Sequence, residues 1–293
     1  MAAMPEALRT AVVGAGTMGA RVALRCARRG IETVLISRDR ARARAALESA
    51  ADEVGDAEAA GQVRLTEGLD ALAGVALVYE AIPESLARKQ GLLGEIEAYV
   101  DAGVPLVSGT STLLPDALGF YLEFPQRVFV AHFVHPVTVV PLAEVVLPRD
   151  ADADASAVFE AWLDAAGLEP LRLADPLPGF IVNRLQFALL REALHIVESG
   201  RATPAEVDLV MRLGLGPRWT ATGPIESIAL GGRATFADVA RSVVPTLDAR
   251  SEIPLLTEGT ALLEAATPPP GPARRARLRA YAAAVDIAAE RGR

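Results

Sequence analysis

The amino-acid sequence predicts an α/β domain with a doubly wound parallel sheet, followed by an all-α domain. Three observations support this fold class. Short apolar runs alternate with longer helical stretches from Arg9 to Asp175, a glycine-rich turn follows the first run, and no convincing strand pattern occurs after Pro178. Alternating strands and helices are typical of a parallel sheet with helical connections. We therefore expect an N-terminal domain at residues 1–177 and an all-α C-terminal domain at residues 178–293.

Six apolar segments of the first domain are predicted to be strands. Several are apolar at nearly every position, which is typical of strands covered on both faces. In chain order they are TAVVGAG, TVLIS, ALVYEAI, VPLVSGT, VFVAHF and LAEVVL. Helices are predicted between them at Met18–Arg29, Asp39–Val54 and Arg88–Val100.

The second domain is predicted to be built from helices. Phe180–Ser199 has the apolar spacing of one long helix, and a further helix begins at Pro204 and ends at Gly214 and Gly216. The apolar character of these helices permits them to form a dimer interface.

Composition and charge exclude several classes of protein. The apolar fraction of 51% is sufficient for large cores, and the net charge of −8 argues against nucleic acid or an anionic membrane as the main partner. A single cysteine, Cys26, excludes a disulfide framework. The N-terminal segment lacks a signal-peptide pattern, and the most apolar stretch, Val128–Leu147, contains histidines, prolines and a glutamate. We therefore expect a cytoplasmic protein that acts on small molecules.

The glycine-rich turn has the sequence GAGTMG and lies between a predicted strand and an apolar-faced helix. In this context Gly14 permits the tight turn, Gly16 lets the backbone approach a pyrophosphate, and Gly19 lets the helix pack closely on the strand. The N–H groups at the start of the helix, near Thr17 and Met18, hold the phosphate charge. The turn predicts a Rossmann-type dinucleotide site.

The residues after the second strand bear on the choice of cofactor. NAD-binding proteins usually place Asp or Glu there to bind the ribose hydroxyls, whereas this chain has Ser37 followed by Arg38. A hydroxyl and a guanidinium suit a 2′-phosphate, so NADP(H) is favoured and NAD(H) stays possible. The alternative is that Arg38 and Arg40 are exposed residues at a helix start and Asp39 is the helix N-cap.

Polar residues follow the ends of the later strands, where ligands bind in open α/β sheets. Ser111 follows one strand in SGTS, His132 lies at the end of the next in AHFVHP, and Glu144 lies in LAEVV. Oxidation of an alcohol requires a base for the hydroxyl proton, and the pKa of histidine lies near neutrality. A carboxylate behind that histidine would fix its tautomer.

These motifs resemble the 3-hydroxyacyl-CoA dehydrogenase family. The segments GAGTMG, YEAIPE, SGTS, HFVHP, LAEVV and PGFIVNR occur in the family's order and at similar spacing, over about residues 9–232. The resemblance implies that His132 is the catalytic base and Glu144 its orienting partner. It implies that Ser111 and Asn183 donate hydrogen bonds near the reacting oxygens of the substrate, and that Glu84 and Lys89 line the cofactor site.

The sequence departs from the family at His135, where the HxxNP motif has asparagine. An imidazole at that position could bind a substrate carboxylate, or it could perturb the pKa of His132. Two histidines three residues apart also raise the hypothesis of a metal site, but no third ligand has a suitable place, so no metal is expected.

A second departure concerns the substrate. Acyl-CoA members of the family carry a longer helical hairpin between the second and third strands, whereas residues 39–74 are short and acidic here. The segments GLGPRW and GPIE resemble the branch that acts on free hydroxy acids, which includes L-gulonate 3-dehydrogenase, lambda-crystallin and carnitine dehydrogenase. Arg218 could bind a free carboxylate with two hydrogen bonds, or it could anchor a helix end.

Three functions follow from these observations. The leading hypothesis is oxidation of the hydroxyl of a small 3-hydroxy acid, or reduction of the 3-keto acid. The second is the same reaction on a thioester of CoA or an acyl carrier protein. The third is a non-enzymatic dinucleotide-binding protein. The family resemblance also implies a homodimer formed through the second domain.

Overall fold

A computed structural model describes residues 8–253 and 271–291 of the chain. The chain divides into two compact units, a first unit of Met1–Ile181 and a second unit of Val182–Arg293. Among the described residues, no helix is both long and apolar enough to cross a membrane.

The first unit is built on one sheet whose strands lie in the order β3-β2-β1-β4-β5-β6-β7-β8. The strands are β1 Thr10–Val13, β2 Thr33–Ile36, β3 Arg64–Thr66, β4 Leu77–Glu80, β5 Leu106–Ser108, β6 Val128–Phe133, β7 Leu142–Val146 and β8 Glu169–Arg172. The six strands predicted from apolar runs are confirmed, while β3 and β8 carry no such run and were not predicted. Both are the outermost strands of the sheet, and their residues are partly exposed.

One strand pair departs from the predicted parallel sheet. β6 and β7 pair antiparallel, whereas every other neighbouring pair is parallel. The reason is the connection: a parallel crossover needs a dozen or more residues, and only the loop of residues 134–141 joins these strands. The antiparallel register places His132 directly opposite Glu144.

Helices cover both faces of the sheet, as the doubly wound prediction requires. They are α1 Thr17–Arg28, α2 Arg40–Val54, α3 Ala57–Gln62, α4 Leu86–Glu97, α5 Pro115–Leu118 and α6 Ala153–Ala165. Along β1, Val12 belongs to a buried cluster with α1, α2 and α6, whereas Ala11 and Val13 belong to a cluster on the opposite face with α4 and α5. Alternate side chains of a strand point to opposite faces, so each strand contributes to both cores.

The described part of the second unit is helical. Its helices are α7 Val182–Glu198, α8 Pro204–Val210, α9 Gly216–Ala221, α10 Glu226–Gly231, α11 Arg233–Val243 and α12 Gly271–Arg291. The predicted helix end at Gly214 and Gly216 is wrong. A π-helical turn, Met211–Leu215, joins α8 to α9, so the backbone stays helical through both glycines.

Candidate active site

The glycine-rich turn lies between β1 and α1. Gly14 has a φ of +105°, a conformation that favours glycine, and a Cβ there would lie 2.8 Å from the backbone of Ala81. A Cβ on Gly19 would overlap the carbonyl oxygen of Gly14. Around Gly16 a Cβ would meet nothing within 4 Å. The turn therefore needs glycine at its first and last positions for packing, while its middle glycine borders open space.

The end of β2 carries the residues that bear on cofactor choice. The backbone N–H of Ser37 donates to Thr66 at 2.9 Å, and the Ser37 hydroxyl lies 3.3 Å from the backbone N of Asp39. The Asp39 carboxylate accepts from the Arg42 N–H at 2.9 Å and is the N-cap of α2. Arg38 is exposed and makes no ion pair within the described residues. The Arg38 guanidinium is thus available to bind a ligand, whereas the carboxylate of Asp39 already caps the start of α2.

His132 and Glu144 form a buried pair across β6 and β7. The distance from Nδ1 of His132 to Oε2 of Glu144 is 2.8 Å. The His132 residue is 8% exposed and Glu144 is 0% exposed. The structure therefore brings together the predicted base and its predicted orienting carboxylate, and adjacent strands of the sheet hold both.

The segment that follows β8 closes over this pair. The backbone N–H of Ile181 donates to Oε1 of Glu144 at 2.8 Å, and the buried ring of Phe180 lies 5.6 Å from the imidazole of His132, centroid to centroid. Phe180 has a φ of +48°, in the left-handed region that side chains rarely adopt. Gly179, the residue before it, also has a positive φ of +82°. This turn directs both a donor and an apolar ring at the pair.

A second buried charge cluster lies at the end of β4. The Lys89 ammonium donates to both carboxylate oxygens of Glu80, at 2.8 and 2.9 Å, and to the carbonyl of Ile82 at 3.1 Å. The Ser108 hydroxyl also donates to Glu80, at 2.6 Å. Lys89 is 1% exposed and uses all three of its donors. Its predicted contact with the cofactor stays a prediction, and this geometry argues against it, because Glu80 and Ile82 accept all three hydrogens of the ammonium.

Glu84 lies beside this cluster and binds the loop after β5. Its carboxylate accepts hydrogen bonds from the hydroxyls of Thr110 and Thr112 and, at 3.2 Å, from the backbone N–H of Ser111, and it lies 3.6 Å from Lys89. Burial alone raises the pKa of Glu84, but the hydroxyl hydrogen bonds and the Lys89 charge outweigh it and lower the pKa overall. The Glu84 carboxylate is therefore ionised at neutral pH, and its hydrogen bond positions the backbone of Ser111.

The same loop depends on Gly109. A Cβ at this position would overlap the hydroxyl of Tyr79, whose ring is buried and stacked on Phe133 at 5.1 Å. The Tyr79 hydroxyl donates to the carbonyl of Ala131 at 3.2 Å, on the residue before His132. The glycine of SGTS therefore lets the Ser111 loop lie directly over Tyr79.

The remaining predicted site residues are placed as follows. Ser111 is half-buried, and His135 is exposed in the loop after β6. Asn183 is half-buried at the second position of α7, and Arg218 is exposed on α9, both in the second unit. Their contacts with substrate stay predictions. Within residues 8–253 and 271–291, no cluster of three or more His, Cys, Asp or Glu side chains is arranged to hold a metal ion.

Two residues of the site were not predicted. Glu80 is a charged residue at the end of a strand that is otherwise apolar, and that position is a recognisable signal for a buried, paired carboxylate. Phe180 follows Pro178 and Gly179, and this order predicts a turn but not the packing of its ring on His132.

Comparisons with known proteins identify the family to which the chain is similar. The model of the 3-hydroxyacyl-CoA dehydrogenase NAD binding domain matches residues 9–176, and the model of the C-terminal domain of 3-hydroxyacyl-CoA dehydrogenase matches residues 179–261. L-carnitine dehydrogenase of Nocardiopsis dassonvillei is 36% identical over 269 residues, which are 87% of this chain and 82% of that protein. Lambda-crystallin of Oryctolagus cuniculus is 30% identical over 252 residues, which are 80% of this chain and 79% of that protein.

A solved structure extends the similarity to both units. The crystal structure of 5-formyl-3-hydroxy-2-methylpyridine 4-carboxylic acid 5-dehydrogenase, described as an NAD⁺-dependent dismutase, has a TM-score of 0.76 and 28% sequence identity, and the match covers 97% of each chain. Two family models that together span most of the chain, and relatives with 30% identity or more over most of their length, lead to one conclusion. The chain belongs to the 3-hydroxyacyl-CoA dehydrogenase family.

Proposed function

We propose that this protein interconverts the 3-hydroxy and 3-keto forms of a small hydroxy acid, with a nicotinamide dinucleotide as cofactor and His132 as the general base. The observation that carries the proposal is the 2.8 Å contact between Nδ1 of His132 and Oε2 of Glu144. β1, β4, β5 and β6 are parallel, so His132 near the end of β6 lies at the same sheet edge as the glycine turn after β1.

The His132 imidazole is arranged to move one proton. A hydrogen on Nδ1 is directed to the Glu144 carboxylate, which leaves Nε2 as the nitrogen that accepts the alcohol proton during oxidation and returns it during reduction. The buried carboxylate stabilises the imidazolium that forms. Ser111 and Asn183 are proposed to donate hydrogen bonds to the reacting oxygen, where negative charge develops.

The glycine turn is proposed to hold the dinucleotide. The open space beside Gly16 accommodates a pyrophosphate, and the N–H groups at the start of α1, at Thr17 and Met18, provide donors for its charge. The bound nicotinamide supplies the hydride chemistry. The matching family model is described as an NAD binding domain, and this description supports dinucleotide binding at the turn.

We propose that the chain prefers NADP(H), although the solved relative is described as NAD⁺-dependent. Ser37 and the available guanidinium of Arg38 support this preference, because the guanidinium offers donors to a 2′-phosphate and Ser37 stands where a carboxylate would repel it. The test is kcat/KM with each cofactor for the wild type, for Arg38→Gln and for the control Arg40→Gln. We expect Arg38→Gln alone to lower kcat/KM with NADPH by about tenfold, since one charged hydrogen bond contributes about 1.5–3 kcal/mol. A preference of the wild type for NADH contradicts the assignment.

The substrate is proposed to be a free acid. The similar L-carnitine dehydrogenase and the pyridine carboxylate dehydrogenase are named for substrates that carry a carboxylate, and Arg218 is an exposed guanidinium that can bind one bidentately. His135 is a second candidate for the same group. Thioesters of CoA or an acyl carrier protein are the alternative substrates.

The experiment compares turnover of short 3-hydroxy acids with that of their CoA and carrier-protein thioesters. We expect the free acids to be turned over with the higher kcat/KM, and Arg218→Ala to raise their KM by about tenfold or more. Arg233→Ala removes another exposed arginine of the second unit and is the matched control. If kcat/KM is higher for the thioesters and Arg218→Ala leaves the KM for free acids unchanged, the substrate is a thioester and not a free acid.

His132→Gln separates an enzyme from a non-enzymatic binding protein. The amide retains a donor towards Glu144 but cannot accept a proton at neutral pH. We expect turnover to fall by at least about 100-fold, the lower end of general-base effects, while dinucleotide binding stays unchanged. Wild-type turnover in this variant contradicts the role of His132.

The second unit is proposed to form a homodimer. Several large apolar side chains on its helices are well exposed in the single chain, including Leu213, Ile225, Leu230 and Val244. Contiguous exposed apolar surface is a common property of subunit interfaces. Sedimentation equilibrium is expected to give twice the chain mass, and Leu213→Asp with Leu230→Asp is expected to shift the protein to the monomer.

A further inference from the structure

A cavity of about 320 Å³ lies at the C-terminal end of α1. Its lining residues are Arg25, Arg28, Arg29, Asp56, Thr138 and Val139. The volume is at the lower end of the range for small-molecule sites. α1 has 12 residues and is therefore about 18 Å long. The cavity is thus separate from the glycine turn at the other end of that helix.

The cavity contains more positive than negative charge. Nε of Arg28 lies 3.0 Å from Oδ2 of Asp56, which neutralises one arginine. Arg25 is buried and bonds only carbonyls, including those of Val137 at 2.7 Å and Val140 at 3.0 Å. Burial, together with the like charges of Arg29 and Arg28, lowers the pKa of Arg25 to about 10. An anion in the cavity would offset this repulsion.

The hydroxyl of Thr138 provides an independent indication of a ligand. Thr138 is 6% exposed, and its Oγ1 has no hydrogen-bond partner among the described residues. Buried hydroxyls are nearly always hydrogen-bonded, because an unsatisfied one is destabilising. Thr138 lines the cavity, so a polar ligand that reaches its hydroxyl from there would supply the missing partner.

We propose that this cavity binds a small oxyanion of the phosphate class, held by Arg28, Arg29 and the Thr138 hydroxyl. Guanidinium groups match the geometry of phosphate oxygens with two parallel hydrogen bonds. Arg29 is exposed and its guanidinium lies against Gly167, with no hydrogen bond among the described residues, so its donors are available. Inorganic phosphate and a small phosphomonoester present the same group to these residues.

The position of the site connects it to the catalytic strands. Arg25 and Arg28 already bond the carbonyls of Val137, Thr138 and Val140, which lie in the loop between β6 and β7. That loop joins the strand of His132 to the strand of Glu144. A bound anion adds a further link between α1 and this loop.

The first experiment measures thermal unfolding against phosphate concentration, with sodium chloride added to keep the ionic strength constant. A ligand that binds the folded state raises Tm as its concentration increases. We expect inorganic phosphate to raise Tm where chloride does not. Glycerol 3-phosphate is tested in parallel: a larger rise than with inorganic phosphate identifies a phosphomonoester as the ligand, and an equal rise identifies the free anion. Equal Tm values in phosphate, glycerol 3-phosphate and chloride overturn the proposal.

Arg29→Gln assigns the effect to the cavity. We expect it to weaken the apparent phosphate affinity by about tenfold, since one charged hydrogen bond is lost. Arg44→Gln removes the same charge from an exposed position on α2 outside the cavity and is expected to leave the affinity unchanged. Equal losses in the two variants indicate a general charge effect, or binding at the glycine turn, and overturn the proposal.

Thr138→Val separates ligand binding from a structural role. Valine keeps the shape of threonine and removes the unpaired hydroxyl. We expect the Tm without phosphate to stay equal or rise, and the phosphate-dependent rise in Tm to shrink. A full phosphate response in this variant excludes the hydroxyl from the site and overturns the arrangement proposed here.

Discussion

Ile181 and Glu144 are joined by a hydrogen bond of 2.8 Å from the backbone N–H to Oε1. Oε2 of the same carboxylate lies 2.8 Å from Nδ1 of His132. Hydrogen bonds to both oxygens fix the plane of the fully buried Glu144 carboxylate. The carboxylate in turn fixes the orientation of the His132 imidazole. The orientation of His132 therefore depends on the segment that ends the first unit as well as on the sheet.

Glu144→Gln is expected to lower kcat by roughly two to four orders of magnitude, as loss of an orienting carboxylate does. An amide has one oxygen and one NH₂ group, so it cannot accept hydrogen bonds from both His132 and Ile181. Steady-state kinetics measures the loss, and dinucleotide affinity, measured by fluorescence titration, is the control and is expected to stay unchanged. A kcat within threefold of the wild type contradicts the role assigned to Glu144.

Gly16→Ala is expected to weaken dinucleotide binding without loss of stability, whereas Gly19→Ala is expected to lower the stability of the fold. The added methyl at position 16 meets no protein atom within 4 Å, so stability is retained, but it enters the space assigned to the pyrophosphate and weakens dinucleotide binding by about tenfold or more. At position 19 the methyl overlaps the Gly14 carbonyl, and the folded state is destabilised. Urea unfolding and cofactor titration of both variants check this pair. Unchanged cofactor affinity in Gly16→Ala argues against the site.

Lys89→Met is expected to lower the free energy of unfolding by about 3–5 kcal/mol, because it leaves the buried Glu80 carboxylate without its counter-charge. Urea unfolding measures the effect. Adding Glu80→Gln to the same chain is expected to restore part of the loss. Arg212→Met breaks the exposed ion pair with Asp208 and is the matched control, with little expected change. An equal loss of unfolding free energy in Lys89→Met and Arg212→Met would show that burial of the ion pair does not matter.

Glu84 is expected to make stability depend on pH in the acid range. Its pKa is lower in the folded chain than the ordinary value of 4.5, so its contribution is fully present above that value and is lost as pH falls through the folded pKa. Glu84→Gln should flatten the dependence of the unfolding free energy on pH below about 4.5. Unfolding in urea at pH 3 to 7 measures the two curves, and parallel curves contradict the pKa shift.

The fold was predictable wherever burial on both faces leaves an apolar run. β1, β2, β4, β5, β6 and β7 have such runs, whereas β3 has the sequence RLT and β8 has the sequence EPLR. These two lie at the sheet edges, where one side of the strand has no neighbour and apolar residues are not required. The helix end predicted at Gly214 and Gly216 failed because a π-helical turn continues the backbone through positions at which glycine usually signals termination.

The proximity of His132 and Glu144 was predictable from the sequence, whereas the contacts around the pair were not. His132 and Glu144 followed from residue type and motif, and the structure brings them together. Lys89 was assigned to the cofactor by resemblance, but its burial against Glu80 depends on packing between β4 and α4 that no local pattern encodes. The packing of Phe180 on His132 likewise joins residues far apart in sequence.

The antiparallel pairing of β6 with β7 has a consequence for how this site can diversify. Because His132 and Glu144 are cross-strand partners, the register of β6 and β7 sets the separation of their backbones, and the side chains of the loop of residues 134–141 do not change it. Substitutions in that loop can therefore change which molecules are accepted while the pair proposed to transfer the proton keeps its geometry. The adjacency of two strands thus separates a loop that can vary from the pair to which the proton transfer is assigned in the proposed function.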